Sequence, residues 1–201
     1  FTGVHGTGKS TLINSILDFH PHLELRPKQD ILKHDDTHER NMLRAVRHYQ
    51  QRMEDEIYTL AHPEKILLRD RSILDNDGYT RGFNALSWMT DAQSSAFRTL
   101  FTTLFTPNHV PKNIVFVDPP LEFIIANIHK RWKETGIKKW REDDFEYLAA
   151  VRKGCKEACS AYEGNVLHLE VTEPQKRKEQ VLAWIANRIT KLQSTSSSKN
   201  D

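Results

Sequence analysis

The chain has 201 residues, 38% of them hydrophobic and 28% charged, the composition of one ordinary globular domain. Its formal net charge of +2 is too small to argue for nucleic acid or an anionic membrane as a partner. No apolar run approaches the roughly 20 residues of a membrane span and no signal peptide is visible.

Residues 3–11 read GVHGTGKST, and Gly3, Gly8, Lys9 and Ser10 fit G-x-x-x-x-G-K-[ST] in full. A loop of this kind normally follows a buried strand; only Phe1 and Thr2 stand before it, so the first strand reads as truncated. Gly3, Gly6 and Gly8 let the backbone wrap closely, so that successive N–H groups converge on phosphate, and the helix behind adds its N-terminal partial charge. Lys9 is expected to reach the β- and γ-phosphates, and Ser10 to ligate Mg²⁺. His5, Thr7 and Thr11 complete the nucleotide-contacting stretch. The competing dinucleotide fingerprint fails, because Thr11 stands where its last glycine belongs. The bland alternative, a glycine-rich turn with a chance lysine, sits poorly with the helix that follows. The loop reads as the seat of a nucleoside triphosphate.

A helix is predicted over residues 9–19, a short extended segment at 22–27 and a long polar helix over 35–61, where Leu43, Val46, Met53 and Ile57 recur at helical spacing. HDDTH, residues 34–38, imitates a zinc-ligand spacing, but Asp35, Asp36 and Thr37 suit a helix start. KILLRD, 65–70, reads as a buried strand that ends at Asp70 on the carboxyl edge of the sheet, where open α/β sheets bind ligands. There Asp70 could serve the metal or accept a proton, and Arg71 could stabilise charge on a transferring phosphoryl group. A helix cap and a surface ion pair are the structural alternatives for this pair. Asp75 reads as structural, and Tyr79 and Arg81 as candidate linings of an acceptor pocket, with ordinary packing and solvation as the alternative.

Helices are predicted before Asn84 and over 91–105, the second ended by Pro107. A buried strand over 113–118 stops at Pro119 and ends in Asp118, a second candidate for the metal. Helices follow over 121–133 and 142–162, the second bearing Cys155 and Cys159. These two thiols lie too close along one helix to staple a fold, which fits a reducing cytoplasm. Between the two helices lies HKRWKETGIKKWRED, 129–143, whose basic residues, Arg131 and Arg141 among them, flank a glycine. This suits a hinged lid that closes over polyphosphate; a solvated helix end is the alternative. A last strand at 165–171, a helix over 174–192 and a tail at 193–201, predicted disordered, complete the chain. Apolar strands separated by helices imply an α/β fold. The expectation is one domain, 1–192, of the P-loop NTPase three-layer type, with a five-stranded parallel sheet, helices on both faces and a basic lid.

With these residues in place the chain resembles the thymidylate kinase and deoxynucleoside kinase group of P-loop kinases, over most of its length. FTGVHGTGKST is similar to the group's phosphate loop, and RDRSILDNDGYTRG to its Asp-Arg-Tyr signature and the run after it. Ser72 leans toward the deoxynucleoside kinases, which have Glu-Arg-Ser there. LRPK, NIVFVDPPLE and REDDFEYLAAVRKGC resemble further family segments, although Arg26 meets Pro27 with no glutamate between them. His5, Asn127 and Cys155 also depart from the thymidylate kinase pattern, and these departures bear on the acceptor more than on phosphoryl transfer.

The resemblance implies Mg²⁺-dependent transfer of the ATP γ-phosphoryl group, with dTMP as the first expectation for the acceptor. A deoxynucleoside or other small-molecule kinase is the alternative. Arg26 would clamp an acceptor phosphate; with a nucleoside acceptor, Asp70 or Glu24 would take the hydroxyl proton. Tyr79 and Arg71 would line the acceptor, and Arg71, Arg131 and Arg141 would balance the transferring charge. A homodimer through the helix 35–61 is implied by the family alone. The rival class is a nucleotide-hydrolysing switch with a protein partner, but the chain lacks an Asn-Lys-x-Asp guanine-reading motif and a second domain.

Overall fold

The apolar runs and amphipathic stretches fold in alternation, as the sequence predicts. In the computed structural model, which describes residues 1–26, 37–104 and 111–197, the order is α1 (Lys9–Leu17), β1 (Leu23–Leu25), α2 (Thr37–Ala61), β2 (Ile66–Leu68), α3 (Ile73–Ala85) and α4 (Asp91–Leu104). Then come β3 (Asn113–Val117), α5 (Leu121–Thr135), α6 (Phe145–Ser160), β4 (Asn165–Leu169) and α7 (Pro174–Ser197). Helix α7 runs on through residues 193–197, where the composition pointed to disorder. Pro107 and most of HDDTH lie outside the described residues. Among the described residues no helix is long and apolar enough to cross a membrane.

The expected five-stranded sheet needs correction. Among the described residues there are two parallel two-stranded sheets, β1 with β2 and β3 with β4. They are joined by the stub Phe1–Thr2. The Phe1 α-amino group donates to the Arg69 carbonyl at 2.9 Å, and the Arg71 amide donates to the Phe1 carbonyl at 2.9 Å. On the other side Thr2 donates to the Val115 carbonyl at 2.9 Å and accepts from the Val117 amide at 3.0 Å. Two residues cannot continue this ladder. Beyond them β2 and β3 face each other across a cavity of about 400 Å³ walled by Ile66, Leu68, Ile114 and Trp184.

Successive strand side chains point to opposite faces, and β3 uses both. Ile114 and Phe116 pack with Tyr79, Phe83, Leu148 and Val151 from α3 and α6. Val115 and Val117 pack with Ile13 and Ile16 of α1 and Val181 of α7. Helices therefore cover both faces, in the layering the sequence predicts. Fully burying one such apolar side chain stabilises by about 1.5–3 kcal/mol, so β3 holds the two layers together even without a long central strand. Helices α3 and α6 meet almost backbone to backbone: a Cβ at Gly82 would stand 2.7 Å from Val151 Cα. The crossing is antiparallel, with Gly78 against Cys155 and Gly82 against Val151, so the start of α3 lies beside the end of α6.

Candidate active site

The phosphate loop is built by backbone conformations that favour glycine. Gly6 and Gly8 have φ of 74° and 86°, and Gly8 caps α1 in the left-handed region. At Gly3 a Cβ would stand 2.5 Å from the Val117 carbonyl oxygen, so only glycine lets the loop pass β3 at this distance. The Gly3 amide donates to Asp75 Oδ1 at 3.1 Å, which ties the loop to α3. Lys9 folds back across the loop. Its Nζ donates to the carbonyls of Gly3 and Val4, each at 2.7 Å, and to Thr7 Oγ1 at 3.1 Å. Burial, and then the neighbouring Arg71, bring the Lys9 pKa down to about 8. A buried ammonium held only by neutral oxygens is well placed to receive an anion.

Opposite the loop, the turn after β2 carries the second constellation. Ser10 Oγ donates to Asp70 Oδ2 at 2.6 Å, so the two residues predicted to share a metal are in contact. A hydroxyl and a carboxylate are hard oxygen donors of the kind Mg²⁺ takes, one or two from protein and the rest from phosphate and water. Among the described residues no group of three or more His, Cys, Asp or Glu side chains forms a metal cage. The other candidate, Asp118, is buried just after Val117, against which Gly3 of the loop passes. Its carboxylate accepts from Arg152 Nε of α6 at 2.5 Å, where that of Asp70 accepts from Ser10.

Arg71 has a positive φ of 86°, uncommon for a residue with a side chain, and its amide bond to Phe1 helps to hold it there. Ser72 and Asp75 then form a capping box that starts α3, as expected of a structural Asp75. Arg71 Nη1 donates to Tyr79 Oη at 3.1 Å and lies 3.4 Å from Asp75 Oδ1. Burial disfavours the Arg71 charge, but Tyr79 and Asp75 outweigh it and its pKa is raised. The guanidinium therefore stays charged at the rim of the phosphate loop.

Tyr79 itself is fully buried. The guanidiniums of Arg44 and Arg71 lie 5.1 and 5.5 Å from its ring centroid, and His5, Phe83 and Tyr147 pack around it. Burial, followed by Arg71 and Arg44, holds the His5 pKa well below its ordinary value, so this imidazole is neutral. Several buried polar atoms around this cluster have no partner among the described residues: Tyr147 Oη, His5 Nε2, Asn41 Oδ1 and both amide atoms of Asn76. Each such group costs about 1–3 kcal/mol. They gather around Tyr79, on α2, α3, α6 and the phosphate loop.

The lid is only partly assembled as predicted. Arg131 reaches the phosphate-loop cleft, of about 740 Å³, but pairs there with Glu142 of the same lid. Arg141 turns away, its guanidinium 4.4 Å from the Trp88 ring centroid and 3.5 Å from Asp144. Arg26, the predicted phosphate clamp, is occupied by Asp55 at 3.2 Å and Glu24 at 3.4 Å, with its guanidinium over Tyr58. Glu24 is likewise held, accepting from Tyr58 Oη at 2.8 Å. Neither joins the cluster formed by Lys9, Ser10, Asp70 and Arg71.

Sequence reasoning missed Glu142. It is fully buried and accepts from Arg131, from the Lys139 amide at 2.9 Å and from Trp132 Nε1 at 3.5 Å. Its one signal was an acid inside a basic segment. Arg44, on the polar helix α2, gave no signal at all.

No protein-family model and no curated protein matches the chain. Solved structures do. Deoxyadenosine kinase from M. mycoides with bound dATP aligns with a TM-score of 0.69 and 13% identity, over 92% of this chain and 96% of that one. The same kinase with products dCMP and a flexible dCDP gives 0.66 and 14%, over 92% and 97%; with bound dCTP it gives 0.62 and 12%, over 92% and 96%. Over 92% of its length, the chain shares the fold of these deoxyadenosine kinase structures.

Proposed function

We propose that the protein is a phosphotransferase that moves the γ-phosphoryl group of ATP to a deoxynucleoside. The observation that carries this reading is the contact of Ser10 with Asp70 at 2.6 Å, beside the buried Lys9 and at the rim guarded by Arg71. The donor polyphosphate would replace the loop's own oxygens around Lys9 Nζ. Mg²⁺, held through Ser10 and Asp70, would supply charge neutralisation at the phosphates. Arg71, and Arg131 once released from Glu142, would balance charge on the transferring group.

The acceptor belongs between α2, α3 and the lid, where unpartnered polar atoms surround Tyr79. The likeness to a deoxyadenosine kinase supports a deoxynucleoside better than dTMP, the first expectation from the sequence. The engagement of Arg26 with Asp55 and Glu24 supports the same choice, since it removes the expected phosphate clamp. Asp70, beside the phosphate loop, would accept the hydroxyl proton. One observation favours a monophosphate acceptor instead. Arg44, beside Tyr79, has no hydrogen-bond or ion-pair partner among the described residues, and with Arg71 it could grip an acceptor phosphate.

A panel of deoxynucleosides and nucleoside monophosphates, assayed for phosphorylated product with ATP and Mg²⁺, separates the two. Product from a deoxynucleoside alone supports the proposal. Product from a monophosphate alone moves the assignment to the second reading.

A further inference from the structure

Arg177, in the first turn of α7, was not singled out by its sequence, and no step of the proposed reaction uses it. It is only 4% exposed, and among the described residues no carboxylate pairs with it. Its Nη1 donates to the Thr7 carbonyl of the phosphate loop at 2.8 Å, across 170 residues of chain. Its Nε donates to the Val171 carbonyl, in the segment that leaves β4. Nη2 is buried and has no partner among the described residues. The guanidinium lies 5.1 Å from the Phe123 ring centroid, and a Cβ on Gly8 would come within 3.2 Å of Nη1. Gly8 thus serves two needs, the left-handed turn and the approach of Arg177.

These contacts place one cation against the outer side of the turn formed by residues 7 and 8, on the wall of the phosphate-loop cleft. A buried charge without a counterion is costly, because removal from water is offset only when an opposite charge or a full set of hydrogen bonds meets it. Two carbonyls meet part of that need and leave Nη2 open. Burial lowers the pKa of the group, consistent with that missing compensation. A polyanion in the cleft would complete it.

We infer that Arg177 is a positioning residue for the donor nucleotide: it locks the Thr7–Gly8 turn to the segment after β4, and the polyphosphate of a bound nucleoside triphosphate offsets its charge. The inference rests on the proposed donor site, but it can fail separately. Lysine could reach one of the two carbonyls but cannot span both, so it should restore only part of the effect.

Titration calorimetry of ATP with Mg²⁺ is the test, on the unaltered protein and on Arg177→Met, Arg177→Lys and, as control, Lys176→Met. Lys176 is exposed and paired with Glu173 outside the cleft. The expectation is ATP binding weakened at least about tenfold in Arg177→Met and by an intermediate factor in Arg177→Lys, with the control unchanged. In turnover, KM for ATP should rise while KM for the acceptor stays within about twofold. The rise in Tm that ATP produces should shrink in the same order, which a purely structural role would not give. Unchanged ATP affinity in both Arg177 variants overturns the inference and leaves the donor site standing. Absence of ATP binding in the unaltered protein overturns the donor site itself. Should Arg177→Met not fold, Arg177→Lys decides alone: affinity equal to that of the unaltered protein counts against the inference.

Discussion

The phosphate loop and the lid are both basic and both glycine-bearing, yet they settle differently. In the loop the contacts are close and largely set by backbone: Lys9 lies inside, Ser10 touches Asp70, and Gly3 passes against Val117. In the lid Arg131 is held by Glu142 and Arg141 lies against Trp88. The loop's geometry is set by backbone, where φ above zero and close approach admit only glycine. The lid's geometry is set by long side chains that can choose among several carboxylates and rings. A motif written in backbone can be read from sequence; one written in flexible side chains needs the structure.

The first way to break this contrast is Lys9→Met. Loss of the buried ammonium should lower kcat/KM by at least about 100-fold, while Tm holds or rises because a charge whose burial is costly is gone. Steady-state kinetics with a thermal melt reads both. A loss below tenfold would mean that the loop is not the seat of the donor. Glu142→Gln comes next. It removes the carboxylate that gathers Arg131, Trp132 and the Lys139 amide, and should destabilise the fold by about 1–3 kcal/mol. The Tm should fall by several degrees. An unchanged Tm would show that the lid does not depend on this centre.

A pH series sharpens the loop's side of the comparison. Lys9 titrates near 8 in the free protein, so if only its charged form receives the donor, ATP affinity should drop about tenfold from pH 7 to pH 9. The stability effect has the opposite sign. The folded-state pKa lies below the ordinary lysine value of 10.5, so the unfolded chain binds more protons between about 8 and 10.5. This group therefore adds stability as pH rises through that window. Calorimetry at stepped pH checks the first effect and denaturant melts the second. The smallest effect is expected from Arg141→Ala. Its exposed ion pair and ring contact contribute about 1 kcal/mol or less, and turnover should change by under about threefold. A larger loss would put Arg141 back over the phosphates, where the sequence first placed it.

Much of the fold was legible. The strand at 113–118 and the helices around it appear within a few residues of their predicted bounds, because apolar runs and 3.6-residue spacing report burial directly. The five-stranded sheet was not, since pairing is a long-range property and the Phe1–Thr2 stub bridges β2 and β3 at one point alone. Asp75, read as structural, closes the capping box with Ser72, a pairing that three-residue spacing permits but only the structure displays. Arg26 could not be placed by spacing, because its partner Asp55 lies on a different element 29 residues away. Arg44 and Arg177 were invisible for the same reason: each gains meaning only from what the fold brings beside it.

The most direct test of the central claim is phosphorylated product formed from radiolabelled ATP, with Mg²⁺, across deoxynucleosides and nucleoside monophosphates. The account predicts transfer to a deoxynucleoside that disappears in Lys9→Met. Tight ATP binding with no transfer to any acceptor in the panel would contradict it.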